Sequence, residues 1–294
     1  MGKTRYPIRT AIGCFRTWRS GPRILTILGV IVCFSIIYAV PFGENARAQG
    51  EALQVAEAFI AMMNWRFTML LFSSAILLLF GDLPIIEPVT FSALIKGSRR
   101  GWIVGQILYV IVASFIMGLL IFGVSIIVSL PKASFLNEWS RPVKLLANSG
   151  RIAISPERMR LMLPQSIVAE YLPWQAFAHS FILFFLTCCF YGLASLTLRM
   201  KWKTASFTLL MMINTISWAS GMFTINSKAY AVLSMISIHF HASLFMHEAA
   251  SANDLLPTLG TSYIVLVIGV IMLMLVAILL VRRYDYLQSE VEYK

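Results

Sequence analysis

Long, nearly charge-free runs recur from one end of this chain to the other, and lysine and arginine close them on alternate sides. Hydrophobic residues make up 59% of the chain and charged residues 13%, against about 25% charged in an ordinary soluble domain. With a mean hydropathy of +0.78, a soluble fold has no means of hiding so much apolar surface. The chain reads as a polytopic integral membrane protein of the all-α class, because lipid offers no partners and every backbone N–H and C=O has to bond within its own helix.

A helix needs about 20 apolar residues to cross a hydrocarbon core about 30 Å thick. Six transmembrane helices are expected: Ile24 to Phe42, Trp65 to Ile86, Trp102 to Leu130, Trp174 to Leu198, Thr204 to Phe223 and Gly260 to Val281. Arg66 and Asp82 flank the second, whose centre is Phe67 to Phe80, and a long Arg side chain can snorkel to the interface. The run from Tyr230 to Phe245 is apolar but short, contains His239 and His241 and follows Lys228, so it reads as an interfacial or re-entrant segment.

Charge supports that reading. With six spans, one side of the membrane receives Lys3, Arg5, Arg9, Arg16, Arg19 and Arg23, then Lys96, Arg99 and Arg100, then Arg199, Lys201 and Lys203, then Arg282 and Arg283. Cations flanking helix ends stay inside, so both termini are expected to be cytoplasmic at the plasma membrane. A seventh span would carry Arg282 and Arg283 outside. The external segment from Pro131 to Pro173 has its own Lys132, Arg141, Lys144, Arg151, Arg158 and Arg160, but long loops weigh less in this rule. The net charge of +11 suits a basic face on an anionic leaflet and needs no nucleic acid.

The expected organisation is one transmembrane domain over 1–294: a cytoplasmic arm 1–23, three spans over 24–130 with an elbow at 81–101, an external segment 131–173, three spans over 174–281 with an external re-entrant stretch 226–258, and a tail 282–294. The first apolar run is longer than the roughly 7–15 residues of a signal-peptide core. Cys14, Cys33, Cys188 and Cys189 form no disulfide framework and read as buried or reduced thiols.

The arm mixes Arg9, Arg16 and Arg19 with Ile8, Ile12, Phe15 and Trp18, a spacing that puts most apolar side chains on one face of an interfacial helix. In the elbow, Pro84 and Pro88 break the helix and Val89 to Lys96 suits a short amphipathic one; a plain polar turn is the competing reading. In the external segment, Ser155 as N-cap with Pro156 and Glu157 after it signals a helix start. His239, His241, His247 and Glu248 lie close in sequence and are of types that bind zinc or haem, yet their spacing fits no metal signature. His179 stands alone near the outer end of the fourth span.

The chain contains no GxxxxGK[ST] loop, GxSxG elbow or HExxH helix, so it carries none of the sites those motifs build. Ionisable residues are nearly missing from the spans, which weighs against ion-coupled transport.

The segments LLLFGDLPIIEP at Leu77 to Pro88 and GSRRGWIVGQILYVIVASFI at Gly97 to Ile116, within this order of arm, spans, elbow and external re-entrant stretch, resemble an ABC-2 type transporter permease. The likeness is one of pattern over essentially the whole chain. It implies the membrane-spanning subunit of an ATP-driven exporter that pairs with a second permease chain and binds no cofactor itself, with ATP and Mg held by a separate ATPase subunit. It also implies that Arg9, Phe15, Arg16, Trp18 and Arg19 belong to a connecting helix, and that Asp82, Glu87, Phe91, Lys96, Arg99 and Arg100 couple to the ATPase. The 131–173 segment departs from the pattern, since many members have a short link there. Two other readings stand beside it: an intramembrane enzyme or metal- or haem-binding protein using the external histidines, and a non-transporting scaffold or immunity protein.

Overall fold

The computed structural model describes residues 5–85, 99–130, 132–148, 163–202, 205–221, 228–251, 256–282 and 284. The elbow positions Glu87, Phe91 and Lys96, the helix start at Ser155 and the tail after Tyr284 lie outside them. The described residues are mostly helical: α1 (Arg5–Ser20), α2 (Pro22–Ala48), α3 (Glu57–Asn64), α4 (Arg66–Phe80), α5 (Arg99–Ser129), α6 (Arg141–Asn148), α7 (Gln165–Glu170), α8 (Pro173–Lys201), α9 (Ala205–Ser220), α10 (Lys228–Ile236), α11 (Ile238–Ala242), α12 (Leu244–Ser251) and α13 (Leu259–Leu280). Two short strands, β1 (Leu53–Gln54) and β2 (Ala133–Ser134), pair in parallel.

Among the described residues four helices, α2, α5, α8 and α13, are long and apolar enough to cross a membrane, and the pair α3–α4 passes the same test taken together. The other two expected spans are shorter than the sequence suggests. α4 has 15 residues and α9 has 16, about 22 and 24 Å at 1.5 Å per residue. The expected second span, Trp65 to Ile86, starts where α4 does; just ahead of it α3, which the sequence reading does not anticipate, meets α4 at a bend of 80°.

α8 is the central pillar, packed against α3, α4, α5, α9, α11 and α13. Gly192 makes its close crossing possible: a Cβ there would meet Val110 Cγ1 at 2.6 Å and Phe80 Cδ2 at 2.8 Å. Peripheral α13 turns Ile264, Ile268, Ile271, Met272, Leu275 and Leu279 outward. An outward apolar stripe at helical spacing is what a lipid-facing helix presents.

One end of the bundle gathers the basic residues. Arg23 opens α2, Arg199 closes α8, and both pair with Asp82 after α4, the second at 3.6 Å. Arg99 at the start of α5 donates to the Arg282 carbonyl after α13 at 3.1 Å. At the opposite end, Gly50 at φ +71° lets α2 close in a Schellman turn: Glu51 N–H donates to the Ala46 carbonyl at 3.0 Å and Gly50 N–H to Arg47. A cap of β2, α6 and α7 covers this end. Leu53 and Val55 N–H donate to the Lys132 and Ser134 carbonyls, both at 3.1 Å, and Arg141 pairs with Glu51 at 3.2 Å. Indole N–H donors close the cap and join it to α8: Trp139 donates to the Tyr171 carbonyl just after α7 at 2.8 Å, and Trp174 of α8 donates to the Phe135 carbonyl at 3.2 Å.

Candidate functional site

The arm forms a helix, α1, but its apolar residues divide between two surfaces. Thr10, Ala11 and Cys14 are buried against α5, and Phe15 and Trp18 pack on Tyr109. The Trp18 indole donates to the Tyr109 hydroxyl at 2.8 Å. Ile8 and Ile12 instead face outward, each 52% exposed, on the side that carries Arg9, Arg16 and Arg19. The sequence spacing suggests a single apolar face; in the fold one flank seats on protein and another, rimmed by arginines, is exposed. Gly105 permits the close seat, since a Cβ there would lie 2.5 Å from Thr10 Cβ and 2.7 Å from the Pro7 carbonyl oxygen.

Asp82 sits at the same end of the bundle. Its carboxylate, 52% exposed, bridges Arg23 and Arg199, and Arg23 also donates to the Leu78 carbonyl. The ends of α2, α4 and α8 thus meet at one acidic side chain. Arg99 and Arg100 are exposed at this end as well.

The interior holds polar links that the sequence reading passes over. Asn64 uses all its hydrogen-bonding capacity. Its Nδ2 donates to the Ile60 carbonyl at 2.7 Å and Ser180 Oγ at 2.8 Å, and its Oδ1 accepts from Leu244 N–H at 2.5 Å and Ser243 Oγ at 3.4 Å. Asn214 Oδ1 accepts from the Tyr191 hydroxyl at 2.9 Å and faces His239 Nε2 at 2.9 Å, while its Nδ2 donates to Ser74 at 3.1 Å. Both asparagines fasten the stretch α11–α12 into the helix bundle. α11 packs against α4, α8, α9 and α13, as a re-entrant segment would.

The three neighbouring histidines diverge. His239 goes to Asn214. His241 Nε2 donates to the Met235 carbonyl at 3.0 Å, leaving Nδ1 to accept from Ser262 at 2.7 Å. His247 Nδ1 donates to the Pro257 carbonyl at 3.1 Å, and its Nε2 is buried without a partner. The Glu248 side chain lies outside the described residues. Among those described, no three His, Cys, Asp or Glu side chains converge where a metal could sit. His179 Nδ1 meets the Tyr263 hydroxyl at 2.7 Å. Two small cavities flank His239 and share Met69 with it: one is lined by Met63, Phe72, Phe184 and Tyr191, the other by Arg66, Ser217, Tyr230 and Met246. Each has room for about one water.

Glu57 is the site residue that the sequence reading misses. It opens α3 and is 0% exposed. Ser140, immediately ahead of α6, donates its N–H to Oε1 at 2.6 Å and its hydroxyl to Oε2 at 2.7 Å. Burial raises the Glu57 pKa to about 7; the Ser140 hydrogen bonds and the more distant Lys144 ammonium pull the other way. α3 is not one of the four long helices, and with α4 it forms an apolar pair bent by 80°. An acidic residue opening the apolar run AFIAMMN is the available signal, since such a residue is costly without a role.

No protein-family model, no curated protein and no solved structure matches this chain.

Proposed function

We propose that the chain is the membrane-spanning permease subunit of an ATP-driven, ABC-2 type exporter, coupled to a separate ATPase that holds ATP and Mg. In this reading α2, α4, α5, α8, α9 and α13 are the six spans. The basic end and both termini are cytoplasmic at the plasma membrane, and α11–α12 fill the outer half of the bilayer beyond short α9. A second permease chain, identical or related, completes the path.

The observation that carries the proposal is the joint at the basic end. Asp82 ties the ends of α2, α4 and α8 just before the elbow, and α1 is seated on α5 beside it. A push delivered there by a partner reaches α2, α4, α5 and α8 as rigid bodies, which is how hinge motions are transmitted.

The test is affinity purification from the native membrane, identification of co-purifying chains and ATPase assay of the eluate. A stoichiometric P-loop ATPase is expected; a chain that purifies alone and hydrolyses no ATP sinks the proposal. Asp82→Ala refines it. Because these ion pairs are exposed, the variant is expected to lose no more than about 1 kcal/mol of stability, while permease-dependent stimulation of ATP hydrolysis falls severalfold. Unchanged stimulation would remove Asp82 from the coupling path.

A further inference from the structure

Directly after β2 the chain turns two large apolar side chains outward: Phe135 is 61% exposed and Leu136 70%. We propose that this pair is an interfacial anchor, seated among the headgroups and upper acyl chains of the bilayer at the end of the bundle opposite the basic cluster.

Helix length sets the depth. α5 has 31 residues and α8 has 29, about 46 and 44 Å at 1.5 Å per residue. Each has one end among the basic residues, at Arg99 and at Arg199. A hydrocarbon core is about 30 Å thick and a bilayer with its headgroups about 40–45 Å, so helices of this length that start at one surface end in the opposite headgroup layer. The turn at 135–136 is joined to both of those far ends. It follows shortly after α5, and at the start of α8 the Trp174 indole donates to the Phe135 carbonyl at 3.2 Å while Trp174 N–H donates to Asn137 Oδ1 at 3.1 Å.

The flank that carries the turn is itself an outward apolar one. Phe115 and Leu119 are exposed along α5, as are Ile127 and Leu130 at its end, which is the stripe a lipid-facing helix presents. Phe122, on the same side of α5 as Phe115, packs on Trp174 with ring centroids 6.3 Å apart. The stripe, Trp174 and the turn are therefore continuous.

Backbone that enters an apolar zone has to carry its own hydrogen bonds. The Ser134 carbonyl accepts from Val55 N–H at 3.1 Å, the Phe135 carbonyl accepts from Trp174, and Leu136 N–H donates to Ser134 Oγ at 3.3 Å. These bonds tie the main chain of the turn to the protein and leave the Phe135 and Leu136 side chains to meet the surroundings.

Charge favours lipid as the occupant. From Lys132 to Asn148 there are three cations, Lys132, Arg141 and Lys144, all exposed, against one carboxylate, Glu138. Arg141 pairs with Glu51, while Lys132 and Lys144 form no ion pair among the described residues. An apolar pair beside an indole and rimmed by cations is the make-up of an interfacial segment, in which the apolar groups reach acyl chains and lysine and arginine reach phosphate.

The experiment uses the full chain carrying Leu136→Cys in a Cys33→Ser background, the other three cysteines being buried, at one copy per nanodisc of phosphatidylethanolamine and phosphatidylglycerol. A nitroxide on the new cysteine reports collisions with oxygen, which concentrates among acyl chains, and with a nickel chelate, which stays in water. The oxygen-to-nickel collision ratio is expected to be severalfold higher than for Gln49→Cys, an exposed position at the same end of the bundle. A ratio no higher than at Gln49 places the turn in water and overturns the anchor. Protection from both reagents means that protein covers the turn, and overturns it equally. Because a nitroxide is itself apolar, a second readout omits it: a charged thiol reagent is expected to modify Leu136→Cys at least about tenfold more slowly than Gln49→Cys, and equal rates refute the proposal. Should Leu136→Cys fail to fold, Phe135→Cys decides by the same two readouts. Neither readout depends on whether the protein transports anything.

Discussion

Replacing Gly105 with leucine will lift the N-terminal helix off the bundle. A Cβ at this position already lies 2.7 Å from the Pro7 carbonyl oxygen and 2.5 Å from Thr10 Cβ, and backbone cannot rotate aside as a side chain can. Overpacking of this kind costs about 1–3 kcal/mol, which α1 avoids by leaving its seat. Cys14 reports the change because it lies, 3% exposed, on the face of α1 that packs on α5. In a background where Cys33, Cys188 and Cys189 are serine, maleimide labelling of Cys14 is expected to accelerate at least about tenfold, the change in accessibility when a tightly packed contact opens. The Trp18–Tyr109 hydrogen bond breaks in the same step. A Cys14 that stays protected would mean that α1 and α5 separate without strain at Gly105.

The second large effect is expected at Asn214. Leucine there leaves the Tyr191 hydroxyl, Ser74 Oγ and His239 Nε2 without the partner each now has. Hydrogen bonds between membrane helices average well under 1 kcal/mol, but stranded buried groups cost about 1–3 kcal/mol each before relaxation. A net loss of about 2–4 kcal/mol is expected, with a fall in melting temperature of roughly 5–10 °C for a chain of this size. The loosening should begin in α11, where Ser237 and Ser217 also interlock at 3.0 Å. A variant that melts with the wild type would show that α11 is held by packing alone.

The long helices were legible because their physics is local. Each of α2, α5, α8 and α13 satisfies its own backbone and needs only length and apolar composition to be recognised, and their expected ends fall within a few residues of the observed ones, apart from the longer C-terminal extension of α2. The helix α3 ahead of the second span was not legible. Nothing in hydropathy or charge marks the 80° bend between it and α4, and what holds it is the Asn64 side chain meeting Ser180 and Leu244, residues 116 and 180 positions away. His239, His241 and His247, with Glu248, stood as an alternative ligand set because they lie close together in sequence. His239, His241 and His247 instead turn to Asn214, Ser262 and Pro257, since short helices with breaks between them rotate successive side chains apart.

By itself, then, the sequence determined the all-α membrane class and the gathering of basic residues at helix ends, because apolar length and flanking charge act through the solvent each segment prefers. Only the tertiary structure decided that Asp82 joins three helices, that Asn64 and Asn214 hold the segment before α13, and that Glu57 is buried against Ser140. Each of those depends on a partner far away in the chain, and the energy of a polar group in an apolar interior is set by the partner it finds there.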